Sequence, residues 1–357
     1  MTAVPVCPRS GGDGPRRTVS GCRCRATGAP DRCVRVRGRP RREGSTIPQE
    51  TTLPEYLALA GEPVEFRALI RQVTYAAKRV SAELRVAGLQ GMLGGTGRTN
   101  VQGEAVQQLD AYANGTFVNN LLRSPAISDL VSEEMAEGMH LAQHSRGKYA
   151  LLFDPIDGSS NLDANLAVGS IFSVRAPRDV LATGRTQIAA GYVMYGPATI
   201  CVLAIPKYGV NLFTYEPTIG EFMFTRGPLT MPSEGRSYGV NDANESGWSP
   251  RVREFVDWLR GPAAHSTRYS GALVGDFHRI LVGGGVYLYP GDSRYPAGKL
   301  RLLYEGCPLA FIAECAGGRA VSEECDILDI VPAQIHQRTP LIIGSRAEVD
   351  RFLPADR

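Results

Sequence analysis

The segment that most constrains this chain is residues 151–163, with the sequence LLFDPIDGSSNLD. An apolar run, typical of a buried strand, stops at two aspartates, a Gly-Ser-Ser turn and an asparagine. Pro155 keeps the backbone extended between Asp154 and Asp157, so both carboxylates can converge on one cation with a main-chain carbonyl beside them. Oxygen ligands favour Mg²⁺ or Mn²⁺ over zinc. The segment therefore predicts a divalent-metal site at the end of a strand.

Residues 158–160, Gly-Ser-Ser, follow the two carboxylates directly. Their backbone N–H groups and hydroxyls can surround an anionic oxygen, which is the arrangement of a phosphate nest. Asp, Gly and Ser are also ordinary turn formers, so an acidic turn without a ligand is the alternative. The combination of strand, carboxylate pair and nest favours an active site in which metal and phosphate are adjacent.

The first 44 residues differ in composition from the rest of the chain. They hold eleven Arg, no Lys and three acids, a charge of +8, so the remainder carries −5 of the total +3. Few apolar positions recur there, and we predict that residues 1–50 form a disordered basic extension. An over-long reading frame is favoured over a transit peptide or a polyanion-binding arm. The acidic body argues against nucleic-acid binding, and no apolar run is long enough to span a membrane.

The eight cysteines favour a reducing, cytoplasmic compartment. Four lie in the basic extension, where their spacing matches no paired CxxC zinc site. The others are scattered through apolar or mixed surroundings, which is typical of reduced thiols. These four are Cys201, Cys307, Cys315 and Cys325.

Hydrophobic periodicity predicts an α/β fold with two α/β subdomains. Apolar residues at three- and four-residue steps over residues 64–87 predict an amphipathic helix, and a second helix is predicted through residue 122. Five short strands, at 170–175, 189–195, 199–204, 211–216 and 221–225, predict an antiparallel meander. Helices at 250–259 and 272–282 and a strand at 286–289 indicate a second α/β layer system.

Other carboxylates stand at strand or helix ends. Glu133 and Glu134 end a short apolar run, and adjacent residues of a strand point to opposite sides, so one can bind metal while the other faces water. Glu305 lies in an apolar run, where it needs a cation unless it simply begins a helix. Taken alone, Glu104 is an N-terminal helix charge favoured by the helix dipole.

Four motifs together resemble class 1 fructose-1,6-bisphosphatase, within the lithium-sensitive, Mg²⁺-dependent sugar and inositol phosphatase superfamily. They are VSEE at 131–134, DPIDGSSN at 154–161, YPG at 289–291 and GKLRLLYE at 298–305. The resemblance covers almost all of residues 53–353 and implies a layered αβαβα sandwich. It also implies a metal and phosphate domain at 51–229, a sugar-bisphosphate domain at 230–357, a homotetramer, and two or more Mg²⁺ or Mn²⁺ ions per subunit.

The resemblance assigns roles to residues that match the family's motifs. The implied metal ligands are Glu133, Asp154, the Ile156 carbonyl, Asp157 and Glu305, and the groups that orient and deprotonate the attacking water are Glu104 and Glu134. The implied substrate contacts are Asp157, Gly158, Ser159 and Ser160 at the 1-phosphate, and Asn241, Tyr269, Tyr289, Pro290, Gly291 and Lys299 at the sugar and 6-phosphate. Arg268 matches an arginine that reaches the 6-phosphate site of a neighbouring subunit.

The chain also departs from the family's pattern. Glu104 stands where relatives often have Asp, and Asn244 stands where some have Tyr, which removes one 6-phosphate contact. The family's AMP inhibition site is matched at Glu65, Lys148 and Tyr149, but Ala176 stands near the expected arginine. Allosteric inhibition by AMP is therefore a hypothesis that needs a titration.

The motifs predict metal-dependent hydrolysis of the 1-phosphate of fructose 1,6-bisphosphate, in gluconeogenesis or the Calvin cycle. Water attack is favoured because no Cys or Ser nucleophile with a paired His is apparent. Sedoheptulose 1,7-bisphosphate is an alternative or additional substrate, since a pocket discriminates weakly against one more CHOH unit. From a different class, the protein could be a catalytically silent regulator that uses the fold to bind a partner.

Overall fold

The computed structural model describes Pro48 and residues 50–99, 105–141 and 147–353. The basic extension before residue 48 and the predicted catalytic residue Glu104 lie outside the described residues. The helices are α1 (Leu53–Leu59), α2 (Val64–Leu84), α3 (Gln108–Leu121), α4 (Pro250–Arg260), α5 (Leu273–Gly283), α6 (Cys307–Cys315) and α7 (Arg346–Phe352). Among the described helices, none is both long and apolar enough to cross a bilayer.

The strands of the N-terminal half are β1 (Gly95–Thr99), β2 (Ala105–Gln107), β3 (Ile127–Ser132), β4 (Met139–His140), β5 (Tyr149–Asp157), β6 (Val168–Arg175), β7 (Ala189–Tyr195), β8 (Thr199–Ile205), β9 (Gly209–Glu216) and β10 (Glu221–Leu229). Those of the C-terminal half are β11 (Ser237–Gly239), β12 (Ser266–Thr267), β13 (Val286–Tyr289), β14 (Leu300–Arg301), β15 (Arg319–Val321), β16 (Arg338–Thr339) and β17 (Leu341–Gly344).

The larger sheet has eight strands in the order β10-β9-β8-β7-β6-β5-β3-β4. Strands β6 to β10 are consecutive antiparallel neighbours, so the meander predicted from the sequence is confirmed. Strands β3 and β5 are parallel, and Ser132, the last residue of β3, pairs with Phe153 within β5. The next residues along the two segments, Glu133 and Asp154, therefore lie side by side at one edge of the sheet. This topology brings the Glu133 and Asp154 segments together.

Apolar side chains arrange the elements in five layers. One cluster joins α2 and α3 to the first face of the large sheet, where Phe117 of α3 stacks on Phe153 of β5 with ring centroids 5.3 Å apart. A second cluster places α5 and α6 between the large sheet and the five-stranded sheet β12-β11-β13-β17-β15. A third covers the outer face of the smaller sheet with α4 and α7. The predicted αβαβα sandwich is confirmed.

Helix α3 begins later than the sequence suggested. The segment before it, β2, pairs antiparallel with β1. The Asp110 side chain accepts the backbone N–H of Gln107 at 3.0 Å, closing a capping box at the helix start. The helix begins at Gln108, whereas the sequence analysis placed its start near residue 104, which lies outside the described residues.

Candidate active site

The end of β5 carries one more residue than the strand it pairs with. Asp154 is opposite Ile171 and Asp157 is opposite Gly169, so three steps along β5 match two steps along β6. Residues three apart in a regular strand point to opposite faces, whereas a β-bulge returns both aspartates to one face. Pro155 suits this bulge because it has no N–H to pair. The bulge is the physical reason why the two carboxylates converge.

Three buried carboxylates meet at this edge. Oxygens of Asp154, Asp157 and Glu305 lie within 4.8 Å of one another, and the residues are 3%, 7% and 4% exposed. Glu305 belongs to a π-helical turn, Leu302–Gly306, directly before α6. The backbone N–H of Arg301, the residue before this turn, donates to the Glu305 carboxylate and holds that side chain in place. Three buried carboxylates suit a hard divalent cation.

Glu133 is the fourth buried carboxylate of the group, which we call the carboxylate cluster: Glu133, Asp154, Asp157 and Glu305. Its backbone N–H donates to the Phe153 carbonyl at 3.0 Å, which fixes it beside Asp154. Its Oε1 lies 3.0 Å from Nη2 of Arg301, and both side chains are 9% exposed. The sequence analysis did not predict this ion pair.

Burial raises the pKa values of three members of the cluster, Glu133, Asp154 and Asp157. It raises the pKa of Glu133 to about 8, together with repulsion from Glu305 and against the opposing effect of Arg301. The pKa of Asp154 is raised well above its ordinary value by burial and then by Glu133. At neutral pH such carboxyls hold either protons or a cation, because several ionised carboxylates cannot share a low-dielectric site. A divalent cation would let them ionise together.

Asp157 also fixes the start of α5. Its Oδ1 accepts the N–H of Leu273 at 3.2 Å and its Oδ2 accepts the N–H of Val274 at 2.7 Å. These are N–H groups that a helix cannot satisfy internally, and the positive end of the helix dipole favours a carboxylate there. Burial nevertheless raises the pKa of Asp157 to about 7, although these two bonds lower it. The Asp157 side chain thus connects this edge of the large sheet to the start of α5.

Residues 158–160 form the predicted turn next to Asp157. Gly158 has φ of +80°, and a Cβ there would lie 2.4 Å from the Cβ of Ala272. Only glycine fits this close approach without strain. Ser159, Ser160 and Asn161 make one 3₁₀ turn, in which the Asn161 N–H donates to the Gly158 carbonyl at 2.8 Å. The first N–H groups of such a turn have no internal acceptor and can bind phosphate oxygens.

Asp110 is a site residue that sequence reasoning missed. It is 5% exposed on α3, near Glu134 and the Ser159 hydroxyl. Its pKa is raised to about 7, chiefly by burial and then by Glu134, against the lowering effect of the hydrogen bonds with Gln107 and Ser159. A carboxyl that titrates near neutrality suits a general base. The sequence signal was the spacing of Gln107 and Asp110, which predicts a capping box but does not show that the carboxylate is buried.

The residues expected to bind the sugar and 6-phosphate lie in the C-terminal half. Asn241, Tyr289 and Pro290 line one small cavity together with Asn244. Gly291 donates its N–H to Glu323 Oε1 at 3.0 Å, away from that cavity's lining.

Three longer side chains complete the expected set, and each rests on a neighbour. Tyr269 stacks on Tyr287 with centroids 6.4 Å apart and is 37% exposed. Burial and then Tyr289, Asp276 and Asp157 raise the pKa of Tyr269 to about 12, so it lies near both ends of the site. The ammonium of Lys299 lies 4.3 Å from the centroid of Tyr295, and exposed Arg268 donates to the Thr267 carbonyl at 2.8 Å. We call Asn241, Arg268, Tyr269, Tyr289 and Lys299 the distal site.

The residues of the hypothetical AMP site lie near one another around α2 and β5. The Lys148 ammonium is 2.6 Å from Glu65 Oε1, and Tyr149 packs edge-on against Phe66 with centroids 5.8 Å apart. Arg175, which neighbours the position of the expected arginine, is fully buried and donates to the Ala182 carbonyl at 2.6 Å.

Comparisons with known proteins agree over nearly all of the described chain. The sequence profiles described as fructose-1-6-bisphosphatase, N-terminal domain and C-terminal domain match residues 51–227 and 231–356. The class 1 fructose-1,6-bisphosphatase of Trichormus variabilis is 46% identical over 308 residues, which cover 83% of this chain and 88% of that protein. The one of Synechococcus sp. strain JA-2-3B'a(2-13) is 47% identical over 312 residues, which cover 84% and 94%.

Solved structures give the same result. The holo form of Leishmania major fructose-1,6-bisphosphatase superposes with a TM-score of 0.82 at 39% identity, covering 85% of this chain and 98% of that one. The apo form superposes with a TM-score of 0.77 at 37% identity over the same shares. On the strength of both domain profiles and of relatives that share almost half of its residues, this chain belongs to the fructose-1,6-bisphosphatase family.

Proposed function

We propose that the protein hydrolyses the 1-phosphate of D-fructose 1,6-bisphosphate to fructose 6-phosphate and phosphate. The observation that carries the proposal is the position of the carboxylate cluster directly beside the phosphate-binding turn at residues 158–160. Phosphoryl transfer needs charge neutralisation and in-line positioning more than covalent help. Membership of the family supports the choice of substrate.

We propose two or more Mg²⁺ ions, or Mn²⁺, as cofactors. Glu133, Asp154, Asp157, Glu305 and the Ile156 carbonyl would hold them. Glu133, Asp154 and Asp157 are buried acids with raised pKa values, and a bound cation would let them ionise. Bound there, such ions neutralise phosphate charge and lower the pKa of water. The chain itself contributes carboxylates that are buried from water and held in place, because the bulge of β5 and the start of α5 restrict the Asp157 side chain.

Glu134 and Asp110 would orient the attacking water and take its proton. The two carboxylates are close enough to raise the pKa of Asp110, and Ser159 links Asp110 to the phosphate turn. When one of the two carboxylates takes a proton, the repulsion between their negative charges is relieved, which favours proton transfer at neutral pH. Glu104 remains a proposed third member, by resemblance.

The distal site would bind the 6-phosphate. Lys299, Tyr269 and Tyr289 supply an ammonium and two hydroxyls, and binding energy from this unreacting phosphate helps to hold the sugar for attack. We propose a homotetramer in which Arg268 of a neighbouring subunit completes the site. Light scattering coupled to size exclusion measures the assembly directly.

We further propose that residues 51–229 and 230–357 act as two domains with the substrate between them, since Glu305 and the distal site come from the second range. A cytoplasmic enzyme of gluconeogenesis or the Calvin cycle accords with the free thiols of Cys201, Cys307, Cys315 and Cys325.

Phosphate release from fructose 1,6-bisphosphate, sedoheptulose 1,7-bisphosphate and inositol 1-phosphate, with Mg²⁺ and with EDTA, tests the proposal. We expect Mg²⁺-dependent release from the first sugar, and a Glu305→Gln variant is the control that keeps the fold but lacks the charge. Release from inositol 1-phosphate alone, or from none of the three, would refute it. Faster turnover of sedoheptulose 1,7-bisphosphate would make that sugar the preferred substrate, with the same proposed reaction.

A further inference from the structure

Glu133 and Glu134 occupy the two central positions of a β-turn. The N–H of Met135 donates to the Ser132 carbonyl at 3.2 Å and closes the turn. The entry to the turn is held by the sheet, because Glu133 N–H bonds the Phe153 carbonyl and Ser132 Oγ donates to Asn114 Oδ1 at 2.8 Å. The exit is held from a distant part of the chain.

His336 makes that distant contact. Its Nε2 lies 2.8 Å from the carbonyl oxygen of Met135, 201 residues away in sequence. A carbonyl only accepts, so Nε2 carries the proton and donates. The imidazole also packs on the ring of Tyr304, with centroids 5.6 Å apart. One half-buried histidine therefore touches both the residue after Glu134 and the residue before Glu305.

The segment that carries His336 is itself braced. Gln337 accepts the Ala333 N–H on its side chain at 2.6 Å, and its carbonyl accepts the N–H of Leu302 at 2.8 Å. Arg338 pairs with Arg301 in the β14–β16 ladder. Because Arg301 in turn bonds Glu133 and Glu305, His336 belongs to a rigid frame around the carboxylate cluster.

We propose that His336 is a positioning residue that fixes the turn of Glu133 and Glu134 and thereby sets the affinity of the site for divalent cations. This inference depends on the proposed metal-dependent function. Outer groups that orient metal ligands are worth roughly 10- to 100-fold in metal affinity. The contact acts on the main chain, so the effect reaches both glutamates without touching either side chain.

Two substitutions separate the donor from the ring. His336→Phe keeps an aromatic ring on Tyr304 but cannot donate to Met135, whereas His336→Gln keeps an amide N–H at similar reach and loses the ring. His140→Phe is the matched control, because His140 bonds the Asp129 side chain at 2.8 Å at the other end of β3. Mn²⁺ binding by calorimetry is measured for all four proteins, beside the Mg²⁺ dependence of phosphate release and thermal unfolding in EDTA.

We expect His336→Phe to weaken Mn²⁺ binding and raise the Mg²⁺ concentration for half-maximal rate, each about tenfold. Its KM for the sugar at saturating Mg²⁺ and its unfolding temperature should stay near wild type. His336→Gln should recover Mn²⁺ binding to within about threefold, and His140→Phe should match wild type.

A His336→Phe variant with wild-type Mn²⁺ affinity would overturn the inference and leave the proposed function standing. So would a His336→Gln variant as impaired as His336→Phe, since restoring an N–H donor would then not restore Mn²⁺ affinity. If wild-type protein bound no Mn²⁺ and released no phosphate, the proposed function would fail together with this inference.

Discussion

The two ends of the candidate site are built differently. At the carboxylate cluster, buried side chains are held by main-chain atoms: Asp157 by Leu273 and Val274, and Glu305 by Arg301. At the distal site, long side chains such as Lys299 and Arg268 rest on near neighbours and remain reachable from solvent.

The two ends therefore contribute differently to the stability of the folded protein. Without a cation, the buried carboxylate cluster lowers the free energy of unfolding, and a bound cation removes this cost. The distal site has little such cost, since an ammonium over an aromatic ring is a stable arrangement without ligand. Removing a carboxylate charge at the first end should therefore lower activity and raise metal-free stability, except where the side chain also caps a helix, as Asp157 does. Changes at the second end should affect mainly substrate binding.

The largest expected effect is that of Asp154→Asn. It removes a charge from the cluster, so phosphate release should fall by at least about 1,000-fold, beyond the roughly 10- to 100-fold cost of changing outer groups. In EDTA the same variant should unfold at a higher temperature than wild type, because it removes the free-energy cost of an acid whose pKa is raised, first by burial and then by Glu133. Steady-state rates and calorimetric melts measure both. Wild-type activity, or a lower melting temperature in EDTA, would break the comparison between the two ends.

Asp157→Asn sharpens this prediction within the cluster. The Asp157 carboxylate accepts two N–H groups of α5, and an asparagine offers one acceptor oxygen where two are needed. We expect activity to be lost as in Asp154→Asn, but stability in EDTA to fall by about 1–3 kcal/mol, the cost of an unsatisfied buried donor. Melting temperatures that change alike in the two variants would contradict the capping role of Asp157.

At the distal site, Lys299→Met should act on binding. The substitution keeps the length of the stem and removes the ammonium, so KM for fructose 1,6-bisphosphate should rise about tenfold or more, as expected for a lost hydrogen bond to a charged group. The rate at saturating sugar should fall less, and Mn²⁺ affinity should stay at the wild-type value. Weakened Mn²⁺ binding would show that the two ends are not independent.

The sequence predicted the parts of the site that are local in the chain. The meander of β6 to β10 and the turn after Asp157 follow from strand patterns and turn residues within short windows. The bulge in β5 did not follow, because it is defined by pairing with Gly169 and Ile171 of the next strand. The contact of His336 with Met135 could not be predicted, because it joins segments 201 residues apart. The burial of Asp110 could not be predicted either, since its spacing from Gln107 indicates only a helix cap.

The pH dependence of stability should also differ between the ends. Folded-state pKa values near 7 and 8 for Asp157 and Glu133 exceed the value of about 4 in an unfolded chain. Between these values the metal-free folded protein binds more protons than the unfolded chain, so its stability falls as pH rises from about 4 to 8. Tyr269, with a pKa raised to about 12, contributes nothing in this range.

Melting curves at pH 5.5, 7 and 8.5 in EDTA and in Mg²⁺ test this sign. We expect the melting temperature in EDTA to fall by several degrees across the range, and saturating Mg²⁺ to remove the fall because bound metal replaces the protons. Glu133→Gln is the control, since it removes one titrating group and should flatten the EDTA profile. A wild-type profile in EDTA that matches that of Glu133→Gln would show that the pKa of Glu133 is not raised in the folded protein.

The smallest expected effect is that of AMP, which tests whether a third region is coupled to either end. Lys148 is already paired with Glu65, and Arg175 is buried with its guanidinium bonded to the Ala182 carbonyl, so a nucleotide phosphate would have to break an ion pair and expose a buried cation. We expect millimolar AMP to change the rate by less than about twofold, which is under 0.5 kcal/mol of coupling. Lys148→Met should behave like wild type in the same titration. Strong inhibition by AMP that Lys148→Met abolishes would establish the nucleotide site and show that it is coupled to the reaction.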